Sequence, residues 1–217
     1  MTALLFAVAL GQSALPRPGL QKGQEIVFQV NMVFSDVKES DLGMRQEWRL
    51  AFKSTDKGTV GSRKLLKMQV DGQDIKLDKV EEEHWTESRD SRGMPITRSV
   101  ANDGDMEKRR WIRLFDISFP AASLRKGSTW TTVDDFTELP RLSSSYTVEN
   151  LDDDYLTIKF SRTESGQSGR TTTGTARCDK RTGWPRDMRG TIDRYTFPDD
   201  EERRTYRVEY TVRQTSR

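Results

Sequence analysis

The most regular feature of the chain is an alternation of apolar and other residues that begins after residue 25. Every second residue from Ile26 to Phe34 is large and apolar. Successive side chains of an extended strand point to opposite faces, so this period of two predicts a half-buried β-strand. The stretch from Tyr206 to Val212 has the same period, with charged residues and threonine in between. The chain is therefore predicted to form a sheet with one apolar face.

Similar short segments lie between these two, separated by turns rich in Gly, Asp, Ser and Thr. Asp71-Gly72 is a strong signal for a two-residue hairpin. In the second half, strands are predicted at residues 130–136, 146–148, 155–160, 171–178, 188–197 and 203–213. The crossover helices that a parallel sheet requires are missing from the pattern. The predicted fold class is mainly β, with about ten antiparallel strands in a curved sheet that forms a sandwich or an open barrel.

One stretch has a helical period instead. Between residues 105 and 115, apolar and long side chains recur at spacings of three and four, including Met106, Arg110 and Leu114. This spacing predicts one short helix near 105–115.

Two short segments have nearly the same sequence, "LQKGQEI" at residues 20–26 and "LRKGSTW" at residues 124–130. In each, Lys-Gly predicts a turn that leads into a strand, because glycine readily adopts left-handed backbone conformations. Residues 48–58 and 155–166 resemble each other at a similar offset. Residues 20–217 are predicted to form a single β-rich domain. The repeated sequences indicate either two related meanders, 20–100 and 120–217, or chance similarity between β-hairpins.

The N-terminal residues differ in character from the rest. Residues 2–10, "TALLFAVAL", are apolar but too short to span a bilayer as a helix. Because Ala9-Leu10-Gly11 has the small-x-small pattern of a cleavage site, residues 1–11 are predicted to be a signal peptide, followed by a Pro-rich joint at 12–19. The missing basic residue before the apolar run leaves a buried N-terminal strand as the alternative. Cleavage would yield a soluble periplasmic or extracellular protein without a transmembrane segment.

The composition is compatible with a folded domain that has a thin core and a highly charged surface. Hydrophobic residues make up 33% and charged residues 32%, and 36 basic against 34 acidic residues leave a net charge of only +2. Disorder of the charged type requires a large net charge, which is absent. Cys178 is the only cysteine, so no internal disulfide can form, and a small buried thiol is expected there.

The sequence contains few residues suited to catalysis. The only histidine is His84, whereas nucleophilic catalysis needs a base beside the nucleophile and zinc needs three or four ligands. Acidic clusters at 134–135, 152–154 and 199–202 lack the spacing of a calcium loop, and no glycine-rich phosphate loop is present. No catalytic residue, cofactor or metal ligand is predicted.

Two surfaces are candidates for binding. Large apolar residues would line the inside of a curled sheet and either hold a lipid or fill the core: Phe28, Val30, Trp48, Phe52, Trp130 and Phe160. The arginine-rich C-terminal third supplies a candidate anion-binding face: Arg177, Arg194, Arg207 and Arg213. That face would suit an anionic glycan, a phosphate headgroup or an acidic envelope protein, unless its arginines only form cross-strand ion pairs. Export and the interspersed acids argue against nucleic acid.

Several of these segments together resemble an uncharacterised group of secreted or lipid-anchored bacterial β-proteins. They are Phe119-Pro120, residues 124–130, Tyr146–Val148, "ARCDKRTGWP" at 176–185 and the tyrosine-rich last strand. The resemblance implies an envelope location and a curved antiparallel sheet, and it implies no activity. The expected function is non-enzymatic binding of a ligand or partner. The alternatives are a lipid or lipoprotein carrier with an apolar groove and a hydrolase of extracellular polymers that uses a carboxylate pair. The sequence leaves the oligomeric state open.

Overall fold

The computed structural model describes residues 20–37, 43–56, 58–78, 80–89, 95–100, 110–134, 140–166, 169–196 and 204–216. Within these residues, antiparallel strands dominate and confirm the predicted mainly β fold class. The strands are β1 (Glu25–Asp36), β2 (Gly43–Thr55), β3 (Gly58–Val70), β4 (Gln73–Asp74), β5 (Glu83–Arg89), β6 (Pro95–Val100), β7 (Thr129–Asp134), β8 (Leu142–Leu151), β9 (Tyr155–Glu164), β10 (Thr171–Asp179), β11 (Pro185–Tyr195) and β12 (Tyr206–Gln214).

All strands belong to one open sheet, in the order β6-β5-β3-β2-β1-β12-β11-β10-β9-β8-β7, with the short β4 paired to β3. Apart from β4, the strands from β1 to β6 follow one another as a meander, and so do those from β7 to β12. The two meanders join where β1 pairs with β12. The last strand of the first meander and the first strand of the second therefore form opposite edges of the sheet.

The strands β6 and β7 lie at opposite edges of the sheet, and the described part of the connection between them packs across one face, where it contacts β2, β3 and β9. The described part of that connection begins with α-helical residues 110–112 and a 3-10 turn at Arg113–Phe115. We call residues 110–119 the central segment. Its apolar side chains join the single hydrophobic core on the inner face of the sheet: Trp111, Ile112, Leu114, Phe115, Ile117 and Phe119.

The inner face is the one predicted from the alternation. Ile26, Phe28, Val30, Met32 and Phe34 on β1 are all buried. Cross-strand register places Val208, Tyr210 and Val212 of β12 beside them. A residue of either strand that points the other way would meet solvent, so the period of two specifies which face is buried.

At two glycines, the backbone of the sheet lies unusually close to aromatic rings of the inner face. Gly174 on β10 and Gly190 on β11 are direct partners in the sheet. A Cβ atom on Gly174 would lie 2.7 Å from Cζ of Phe160, and one on Gly190 would lie 2.7 Å from Oη of Tyr210. Glycine at both positions allows these rings to lie directly on the backbone.

The two Lys-Gly segments form the same turn. Gly23 and Gly127 have φ values of 79° and 83°, in the left-handed region. Gln24 N–H donates to Gln21 O, and Ser128 N–H donates to Arg125 O. Each glycine N–H also donates to a neighbouring strand, Gly23 to Ser54 O and Gly127 to Val148 O. The repeated sequence thus encodes a turn that attaches the start of β1 to β2 and the start of β7 to β8.

The other sequence expectations are met in part. Residues 48–58 include the end of β2, the second strand of the first meander, whereas residues 155–166 include all of β9, the third strand of the second. The two similar sequences therefore do not occupy equivalent positions. After the Asp71-Gly72 turn only two residues pair, and Ile75 is 43% exposed. The strand β6 was not expected. The predicted signal peptide and joint at 1–19, the first half of the predicted helix at 105–109 and the acidic cluster at 199–202 lie outside the described residues.

Candidate functional site

The six residues of the candidate apolar face all lie on the inner side of the sheet. Phe28, Val30, Phe52 and Phe160 are buried, and Trp48 and Trp130 are partly buried against the same core. The central segment covers part of this face: the ring centroids of Trp111 and Trp48 are 5.4 Å apart, and those of Phe119 and Trp130 are 6.3 Å apart. The sequence left open whether these residues line a groove or fill a core, and in the structure they belong to or pack against the core that the central segment joins.

Side-chain hydrogen bonds hold the central segment on the sheet. Arg162 on β9, which is 2% exposed, donates to the carbonyl oxygens of Arg113 at 3.1 Å, Leu114 at 2.8 Å and Asp116 at 2.5 Å. Arg113 O also accepts a hydrogen bond from Asp116 N–H, so Arg162 adds a second donor to this carbonyl group and supplies a donor to those of Leu114 and Asp116. Trp130 Nε1 donates to Ser118 O at 2.7 Å. In both cases the acceptors are backbone carbonyl oxygens of the segment, so these hydrogen bonds form only when its backbone follows this path.

Two buried ion pairs reinforce this attachment. Arg110 of the segment pairs with Glu164 at the end of β9, and both side chains are buried. Arg113 Nε lies 2.9 Å from Asp134 Oδ2, and its Nη1 donates to Pro140 O at 2.7 Å. A buried ion pair adds little net stability because both charges lose water, but removing one partner is costly. These pairs therefore define where the segment sits more than they stabilise the fold.

A buried arginine also contacts a pair of neighbouring tryptophans near the start of the segment. The guanidinium of Arg63 on β3 is 5.1 Å from the ring centroid of Trp48 and 4.9 Å from that of Trp111. Its Nε donates to Glu83 Oε2 at 2.7 Å. Cation–π contacts of this kind are stronger when water is excluded. Arg63 thus links the segment to the first meander, whereas Arg162 links it to the second.

The buried carboxylates of the described residues already have partners. Glu164 pairs with Arg110, Asp134 pairs with Arg113, and Glu87 accepts a hydrogen bond from Trp85 Nε1 at 3.3 Å. A glycosidase needs two carboxyl groups that face a substrate across a cleft. Within the part of the chain that the structure describes, these three acids lie against buried arginine or tryptophan side chains instead.

The remaining candidates for chemistry are structural. Cys178 is buried, and desolvation raises the pKa of its thiol far above the ordinary range, which makes the thiol unreactive. His84 is exposed on β5. Asp152 Oδ1 accepts hydrogen bonds from the backbone N–H groups of Asp154 and Tyr155, so the cluster at 152–154 forms a turn. Among the described residues, no group of three or more His, Cys, Asp or Glu could hold a metal ion.

Tyr210 makes stability depend on pH. Burial raises the pKa of Tyr210 to about 12, above its ordinary value of 10.0. Stability from the protonated phenol is therefore complete below pH 10 and is lost as the pH rises toward 12, by up to about 3 kcal/mol. We expect Tyr210→Phe to remove this part of the alkaline loss, measured by urea unfolding between pH 8 and 11.5. An identical pH slope in both proteins would contradict the assignment.

The candidate anion-binding arginines lie on the outer face but do not form one group. Arg177 on β10 and Arg213 on β12 stand in register with Asp187 on β11, one on each side of it. Arg207 is six residues from Arg213 along β12, about 20 Å away. Arg194 lies at an irregularity between Ile192 and Tyr195, with a φ of 60°.

The predicted set of four arginines left out Arg189, which lies on β11 and lines the same depression as Arg177 and Arg213. The signal for it was available, because Arg189 alternates with the buried Met188 and so belongs to the outer face.

Comparison of the sequence with protein-family models finds no match, and comparison with curated proteins finds no relative. Across the described residues, no helix has the length and apolarity that crossing a membrane would demand. Any functional assignment therefore depends on the chemistry of the inner and outer faces of the sheet.

Proposed function

We propose that the chain is an exported, non-enzymatic binding protein of the cell envelope, and that the inner face of its sheet receives the acyl chain of a lipid when the central segment withdraws. The observation that carries this proposal is the way in which the apolar face is covered. A single segment with one helical turn covers part of it, attached to the sheet by buried arginine and tryptophan side chains.

Withdrawal of the segment would leave the sheet intact. Its strands pair with one another and form a continuous ladder from β6 to β7. A peptide of about ten residues has no stable helix of its own in water. Movement of the segment therefore exchanges its side-chain contacts for contacts with a ligand.

The face that withdrawal of the segment would expose has a composition that suits an acyl chain. Phe28, Val30 and Met32 of β1 and Val208 and Val212 of β12 form a continuous strip of apolar side chains. Burial of apolar surface contributes about 25 cal/mol per Å², so a long acyl chain could replace the contacts of the segment. Export is supported by the apolar residues 2–10. Envelope location is supported by the resemblance of the short segments 119–120, 124–130, 146–148 and 176–185 and of the last strand to bacterial envelope proteins.

All five tryptophans report on the inner face, which makes the proposal directly testable. Trp85, Trp111 and Trp184 are part of the core, and Trp48 and Trp130 pack against it. We expect 9,10-dibromostearate to quench tryptophan emission with saturation, whereas stearate without bromine leaves it unquenched. Val33→Glu should not change the quenching, because Val33 is 37% exposed on the outer side of β1.

Absence of saturable quenching, or its loss in Val33→Glu, would contradict an inner binding site. Native mass spectrometry of the chain purified from an envelope fraction tests the rest of the proposal. The expected masses are those of the chain without its first residues, with and without a bound lipid. A full-length mass would contradict cleavage of the signal peptide.

A further inference from the structure

Three neighbouring strands each contribute one arginine to a depression on the outer face of the sheet. We call Arg177 on β10, Arg189 on β11 and Arg213 on β12 the outer arginine cluster. All three are exposed. The depression has a volume of about 520 Å³, and its polar lining is completed by Gln29, Asn31, Thr157, Thr175, Asp187 and Thr211.

The lining of this depression carries a net positive charge. Among its lining residues, three arginines face one acid, Asp187, so the local net charge is +2. The whole chain of 217 residues also carries +2. Arg49, elsewhere on the outer face, differs from these arginines, because its guanidinium lies within 3.5 Å of both Glu25 and Glu82.

The three guanidinium groups are positioned by weak or neutral contacts. Arg213 Nε lies 4.0 Å from Asp187 Oδ1, at the limit for an ion pair, with both side chains at least half exposed. Arg177 stacks on Tyr155 at 3.8 Å from the ring centroid, and Arg189 Nε donates to Thr175 Oγ1 at 3.3 Å. A guanidinium has five N–H donors, so these contacts leave most donors directed at solvent.

The arrangement suits a chain of anionic sugars. Guanidinium groups bind carboxylate and sulfate through two parallel hydrogen bonds. Arg177 and Arg213 are two strands apart, about 10 Å, and Arg189 lies on the strand between them. Threonine, asparagine and glutamine around them can exchange hydrogen bonds with sugar hydroxyl groups. The open shape of the depression fits an extended polymer crossing the strands.

We propose that the outer arginine cluster binds an anionic polysaccharide laid across β10, β11 and β12. This site lies on the opposite face from the proposed lipid site and does not depend on it.

The test compares two polymers with the same backbone, dextran sulfate and uncharged dextran, by isothermal titration calorimetry of the full chain. We expect the wild-type chain to bind dextran sulfate and not dextran. The triple variant Arg177→Gln/Arg189→Gln/Arg213→Gln should lose affinity by at least about tenfold, because charge-assisted hydrogen bonds are removed.

A charge-matched control separates the cluster from general electrostatic attraction. Arg45, Arg125 and Arg207 are also exposed and lie outside the depression. Arg45→Gln/Arg125→Gln/Arg207→Gln removes the same charge and should change affinity by less than about twofold, since a polymer held at a defined site responds to local contacts. Equal losses in both triple variants, or no binding by the wild-type chain, would overturn the proposal. Unchanged thermal unfolding of both variants verifies that the sheet is intact.

Discussion

Alanine at Gly174 or at Gly190 is expected to lower the free energy of unfolding by about 3 kcal/mol, because each methyl group would overlap atoms that cannot move cheaply. A Cβ atom on Gly174 would lie 2.3 Å from the carbonyl oxygen of Arg189, and one on Gly190 would lie 2.5 Å from that of Thr173. Both obstacles are backbone atoms of the paired strand. Urea unfolding followed by tryptophan emission measures the effect.

Gly43→Ala provides the matched control for these two variants. Gly43 also lies in a strand, and a Cβ atom there would have no neighbour within 4 Å. We expect its stability to change by less than about 0.5 kcal/mol. The two damaging substitutions should also be less than additive when combined, since both separate the same pair of strands. Three variants of equal stability would refute the close approach at this point of the sheet.

Arg162→Met is expected to lower the free energy of unfolding by about 3 kcal/mol and to loosen the central segment selectively. Methionine retains most of the apolar stem but cannot donate hydrogen bonds to the carbonyl groups of Arg113, Leu114 and Asp116. A buried acceptor that loses its partner costs about 1–3 kcal/mol. Hydrogen exchange of peptides that cover residues 110–119, together with urea unfolding, measures both effects.

Arg170→Met tests whether any buried arginine would behave in the same way. Arg170 is 4% exposed, and its guanidinium lies 4.4 Å from the ring centroid of Tyr195. Its loss should destabilise the whole sheet without a selective rise in exchange at 110–119. If Arg162→Met leaves exchange of the segment unchanged relative to Arg170→Met, Arg162 is not the attachment point. In that case other contacts would hold the segment on the sheet.

The interior of this domain combines an apolar core with an unusual number of buried arginines. Arg63, Arg110, Arg113, Arg162 and Arg170 are all less than a tenth exposed. Four of them, all except Arg170, bind or belong to the central segment, where apolar residues of the same volume would give equal or greater stability. Under the proposed function, polar attachment would specify one position for the segment and would allow it to dissociate into water, whereas an all-apolar attachment would oppose that step.

Several elements were predictable from local pattern alone. The period of two in β1 and β12 specified both the strands and their buried face, and Asp71-Gly72 specified a turn. The strand β6 was missed because "PITRSV" has no apolar alternation and starts with proline. The apolar set Phe28, Trp48, Phe52 and Trp130 was correctly placed inside, but whether the inside was empty depended on a segment far away in sequence.

The sequence by itself determined the class of fold, the buried face of the sheet and the two Lys-Gly turns, because side-chain alternation and glycine conformations are local properties. Only the tertiary structure decided which edges the meanders occupy, that the connection between them crosses the inner face, and that Arg162 meets three of its carbonyl groups. It also brought Arg177, Arg189 and Arg213 to one depression on the outer face. These relations depend on strand order and register, which join residues that are distant along the chain.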